Sequence, residues 1–182
     1  MIGKLFEVGA AQPYRHPRVW TREPTDERER LRIGCGTETI ELFRALAGLL
    51  REPLFLLVVM RAPRVVEVGR WESIPLTQPE LGRFIDRYRE LFEDDARAQL
   101  WVGELDGVGL LVLDEHDLVY AYGPLHRFEE VLRARGYTSG DPRVPDPHEH
   151  HYNKQFDELE GVLRRTWPWN RILPLDEVPE DL

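Results

Sequence analysis

The chain has 182 residues, 42% apolar and 31% charged, with a formal net charge of −9. That composition belongs to a folded chain with a sizeable core and excludes a disordered or low-complexity one. No apolar run approaches the roughly 20 residues of a membrane span, and the single cysteine, Cys35, excludes an internal disulfide and a multi-thiolate zinc site.

Charge is unevenly spread: residues 98–182 carry 17 acidic and eight basic side chains. With no basic stripe to neutralise phosphate, neither nucleic acid nor an anionic membrane surface is an expected partner. A basic protein partner is compatible with this charge. The N-terminus lacks the apolar stretch and cleavage site of a secretory signal, so a cytoplasmic location is expected.

In chain order, residues 11–30 combine three prolines, at 13, 17 and 24, with a charge run at Asp26–Arg30, and predict an extended arm or loop. Leu31–Cys35 reads as a short strand. Gly36-Thr37 then opens a helix to about Leu50, with Ile40, Phe43, Leu46, Ala47 and Leu50 on one face. Leu54–Met60 is continuously apolar, as in a strand buried on both faces, and Val65–Ile74 should pair with it. Thr77 and Glu80 form a capping box with Pro79 in the first turn, predicting a helix over Thr77–Glu93. Its inward face is Leu81, Phe84, Ile85, Tyr88, Leu91 and Phe92.

Leu100–Tyr122 predicts a three-stranded meander, with a tight hairpin at Asp106-Gly107 and a polar turn at Asp114–Asp117. A helix from Pro124 to Gly136 turns Leu125, Phe128, Val131 and Leu132 inward, and Tyr137–Pro147 is a loop. Asp146, with Glu149 three residues on, predicts the cap of a last helix carrying Tyr152, Phe156, Leu159 and Leu163 inward. Residues 171–182 form an acidic tail. The whole predicts one α+β domain over 1–182, a largely antiparallel sheet of about five to six strands covered by about four helices.

No Walker loop, dinucleotide fingerprint or Gly-x-Ser-x-Gly elbow is present. Cys35, between Gly34 and Gly36 at a strand-to-helix turn, reads as a core residue. A nucleophilic thiol activated by the helix N-terminus is the alternative. His148, His150 and His151, with Asp146 and Glu149 beside them, are the densest group of metal-ligand types. In a helix, His148 and His151 would share a face, with a third ligand drawn from His116, His126 or Asp157. Adjacent histidines at a helix start are more often surface or capping residues, so no cofactor is assigned and a metal centre stands as the alternative.

Asp114, Glu115 and Asp117 are expected at an exposed hairpin tip. With Tyr120 and Tyr122 as aromatic anchors they are the expected docking residues for a basic partner. The function these features predict is a non-enzymatic protein-binding domain, such as an immunity protein that neutralises a toxin, or a regulatory protein. A metal-dependent enzyme or metal binder using the His148–His151 group is the alternative. The sequence assigns no oligomeric state.

Overall fold

Strand-forming and helix-forming segments alternate along this chain, and they assemble as an α+β fold. The structure, a computed structural model, describes residues 2–172. The elements run β1 (Leu5–Glu7), β2 (Val19–Pro24), β3 (Glu29–Gly34), α1 (Thr39–Ala47), β4 (Leu54–Met60), β5 (Gly69–Glu72), α2 (Gln78–Asp94) and β6 (Ala98–Glu104). They continue with β7 (Leu110–Leu113), β8 (Leu118–Tyr122), α3 (Leu125–Ala134), β9 (Thr138–Ser139), β10 (His148–His150), α4 (Asp157–Arg164) and β11 (Asn170–Ile172). No helix among the described residues is long and apolar enough to cross a membrane.

Among the described residues, nine strands form the main sheet in the order β11-β5-β4-β6-β7-β8-β3-β2-β9. Every neighbouring pair is antiparallel except β2 with β9. The predicted meander is β6-β7-β8, at the centre of this sheet. Three further strands come from segments read otherwise in the sequence. The arm contains β2, which forms a hairpin with β3; the loop after α3 contains β9; and β11 extends the edge beside β5. The acidic tail beyond residue 172 lies outside the described residues.

The strands alternate between two faces, and one face carries the core. Leu54, Leu56, Val58 and Met60 of β4, Leu100 and Val102 of β6, and Leu31 and Ile33 of β3 are buried there. The four α-helices among the described residues add their apolar sides: Leu42, Phe43 and Leu46 of α1; Leu81, Phe84, Ile85 and Tyr88 of α2; Phe128 and Leu132 of α3; and Leu163 of α4. The Glu80 carboxylate accepts from the Thr77 amide at 2.8 Å, as the capping box predicts. The Asp106-Gly107 hairpin is longer than a two-residue turn. Glu104 and Gly109 are the last bonded pair (2.9 Å), and only Gly107 takes a positive φ, of 74°. The longer loop lets the Asp106 side chain accept from the Val108 amide at 3.1 Å.

Residues 148–151 are not helical, which corrects the predicted last helix. Asp146 and Glu149 do not cap it. His148–His150 instead form β10, paired antiparallel with β1 in a separate two-stranded sheet. The helix begins nine residues later, at Asp157, and fully buried Arg97 decides its position. That guanidinium bonds Asp95 (2.8 and 2.9 Å), Asp157 (2.9 Å) and Glu160, and donates to the Asn153 carbonyl at 2.8 Å. Glu160 also accepts the amides of Arg64, Val65 and Val66. These bonds tie α4 to β6 and to the loop after β4.

Candidate metal centre

Two short pieces of chain bring three histidines together. In β10, side chains alternate, so His148 and His150 share one face while His151, past the strand end, leaves it. The turn between β7 and β8 supplies His116. The three rings are steeply inclined to one another, with centroids 5.2 Å (116–148), 4.8 Å (116–150) and 5.0 Å (148–150) apart. One nitrogen from each lies within 4.8 Å of the other two. Tetrahedral zinc with Zn–N bonds of about 2.0–2.1 Å sets its nitrogens roughly 3.3 Å apart, so the three nitrogens must draw together by at most about 1.5 Å to close on an ion.

Hydrogen bonds at Nδ1 of two of the rings show which nitrogens remain available to an ion. His116 Nδ1 donates to Asp114 Oδ2 at 3.1 Å, and His148 Nδ1 donates to the Pro145 carbonyl at 2.8 Å. In the neutral ring each bond keeps the proton on Nδ1, which leaves the Nε2 lone pair available. His150 Nε2 is buried and has no hydrogen-bond partner among the described residues. A carboxylate or carbonyl behind a ligating imidazole is the usual outer support of a metal site. Charges act differently on the rings. Burial favours neutral His116, but the Asp114 hydrogen bond and the Asp114 and Glu115 charges outweigh it and raise its pKa. Burial, then the neighbouring His116, pushes His150 down.

The turn holding His116 is itself strongly constrained. Asp114 Oδ1 accepts the amides of His116 and Leu118, each at 2.9 Å. Asp117 adopts a left-handed φ of 65°, a conformation Asp tolerates better than most residues. Lys4, just before β1, reaches in from the small sheet. Its ammonium donates to the Asp114 carbonyl at 2.8 Å and the Phe92 carbonyl at 2.9 Å, and lies 3.5 Å from Asp117. His16 Nε2 donates to the His116 carbonyl at 2.8 Å. The same turn therefore receives the N-terminal segment and faces β10.

This arrangement corrects the expected exposed tip. Asp114, Glu115 and Asp117 are only 6%, 9% and 2% exposed, because the small sheet and Lys4 cover the turn. Glu115 accepts from Gln99 at 2.5 Å and pairs with Arg61 at 3.4 Å. Tyr122 is buried and Tyr120 half-buried on the sheet face away from the helices, engaged by Arg30.

Of the expected ligand types, His148 and His150 converge and His116 joins them. His151 does not: its ring stacks on Phe6 at 3.9 Å. His126 is exposed beside Glu130 on α3, and Asp157 belongs to the Arg97 network. Cys35 is fully buried and bonds the Ile33 carbonyl through Sγ at 3.7 Å; burial first, then the Asp117 charge, pushes its thiol well up. Lys4, His16 and the supporting role of Asp114 escaped the sequence reading. Only the Asp-x-His spacing at 114–116 and the His-x-His spacing at 148–150 signal the site, the latter once read as strand.

No protein-family model, no curated protein and no solved structure matches the chain.

Proposed function

We propose that this protein binds a divalent transition-metal ion, zinc by its donor set, through His116, His148 and His150. The observation that carries the proposal is the convergence of three imidazoles, two of them held by an acceptor at Nδ1 and the third with a buried Nε2 that has no hydrogen-bond partner among the described residues. Imidazole donors suit zinc and its neighbours in the first transition series, not magnesium or calcium, which take oxygen. A protein-docking role draws less support, because the carboxylates expected to make it are turned inward and engaged.

The test is equilibrium dialysis of tag-free protein against zinc, followed by elemental analysis. The expected result is about one ion per chain, bound by wild type and by His151→Ala, and lost in His116→Ala and in His148→Ala/His150→Ala. Equal loss in His151→Ala, or no retained zinc in wild type, contradicts the proposal.

A further inference from the structure

We infer that the centre is of the open, hydrolytic kind: the ion held by His116, His148 and His150 keeps one exchangeable water and delivers it to a neutral acyl ester. The inference rests on the metal reading above and adds to it a coordination state and a substrate class.

The ligand set is the first ground. Structural zinc sites are closed by four protein donors, whereas catalytic ones have three and a water. Among the described residues, the three histidines form a complete group: no fourth His, Cys, Asp or Glu joins them at that mutual distance. The carboxylates of Asp114 and Glu115 instead group around His116 alone. Both have other work, Asp114 on two amides and the His116 ring, Glu115 on Gln99 and Arg61. All three histidines are half-buried, so part of the group reaches solvent, while His150 Nε2 itself is enclosed.

Charge is the second ground. Three neutral imidazoles leave the full double charge of the ion on its remaining ligand. That charge turns a bound water into a nucleophile near neutral pH and polarises a carbonyl oxygen. The surroundings select the substrate. Glu7 lies directly across from His148 in register, and so on the same face, and Asp114 and Glu115 flank His116. Nearby cations are already engaged: Arg61 by Glu115, Arg15 by Asp94 and Asp117, and Lys4 by Asp117. A phosphate or carboxylate would meet carboxylates with these cations already occupied. A neutral ester meets neither repulsion nor a missing clamp.

The step balances as ester plus water giving carboxylic acid plus alcohol. The oxygen of the bound hydroxide forms the new bond to the acyl carbon, and the carbon–oxygen bond to the alcohol breaks. The bound water gives its proton to solvent in becoming hydroxide, the departing alkoxide takes a proton back from solvent, and a fresh water refills the ion.

Two measurements on tag-free full-length protein test this. Cobalt-loaded protein is titrated with thiocyanate while its visible spectrum is recorded. Zinc-loaded protein is assayed with p-nitrophenyl acetate and with the anionic bis(p-nitrophenyl) phosphate. We expect thiocyanate to shift the cobalt spectrum. The ester should be hydrolysed only by metal-loaded protein, with the rate lost to background in His148→Ala/His150→Ala, and the phosphodiester left intact. A cobalt spectrum indifferent to thiocyanate, or ester turnover equal with and without metal, overturns the inference while leaving metal binding in place. Faster cleavage of the phosphodiester overturns the substrate class. Failure to retain cobalt at all refutes the metal reading itself, and this inference with it.

Discussion

Asp114 carries more of the site than any other single residue outside the ligands. Its carboxylate orients the His116 ring and shapes the turn, through three hydrogen bonds in all. In Asp114→Asn the side-chain oxygen still accepts the two amides, but the charge facing His116 is gone. Zinc affinity should fall by about 10–100-fold, as expected when outer support of a ligand is weakened, with the fold retained by circular dichroism. An unchanged affinity would show that His116 needs no such support. Cys35 makes a contrasting residue-scale case. Its thiol is buried and its pKa raised by that burial, so native protein should resist iodoacetamide at neutral pH and react only on unfolding. The linked pH effect has a definite sign. In the unfolded chain the thiol ionises near pH 8.5, so its contribution to stability is intact below about that pH and declines above it. Cys35→Ala should show a shallower alkaline decline in urea midpoint than wild type.

At the scale of elements, stability rests on two different devices. Phe84 of α2 stacks on Trp167 at 4.9 Å and meets Tyr88 at 4.7 Å, in the apolar core. Phe84→Ala should cost about 3–5 kcal/mol in urea unfolding, from lost transfer energy plus a cavity. Arg97 stands at the other extreme, an ion fully enclosed with Asp95 and Glu160. Arg97→Met removes one partner and strands two buried carboxylates, so about 3–5 kcal/mol should be lost by the same measurement. The element scale also shows what the sequence could convey. Leu54–Met60, the helix begun by Thr77 and the β6-β7-β8 meander follow from apolar period and cap chemistry alone, and their ends fall within a few residues of expectation. β10 does not. Three polar residues carry no apolar alternation, and Asp146 with Glu149 imitates a helix cap. Only pairing with β1, more than 140 positions away, makes the segment extended. Because a strand repeats every two residues, His148 aligns with His150, not with His151.

At the scale of the whole molecule, the turn expected at an exposed tip is covered. A turn between two central strands would normally face solvent. Here the β1–β10 sheet and the Lys4 and His16 side chains close over it. None of those contacts has a local signature, since each joins residues 100 or more positions apart. The site is thus a product of long-range assembly: one ligand on the nine-stranded sheet, two on the small one. An isolated two-stranded sheet is marginal in water, so an ion shared between the two sheets should add to native stability. Zinc at about 100 times its dissociation constant should stabilise the fold by about 2.7 kcal/mol. That would register as a rise in melting temperature in wild type and none in His148→Ala/His150→Ala. Coincident melting curves for wild type with and without zinc would contradict this coupling.

The most direct test of the central claim is an anomalous difference map from crystals of the tag-free protein grown with zinc, collected at the zinc absorption edge. The account predicts one peak between β10 and the β7–β8 turn, with the Nε2 atoms of His116, His148 and His150 at about 2.0–2.1 Å and a water in the remaining position. A peak at His151 or His126, or three rings left apart with no peak among them, would contradict it.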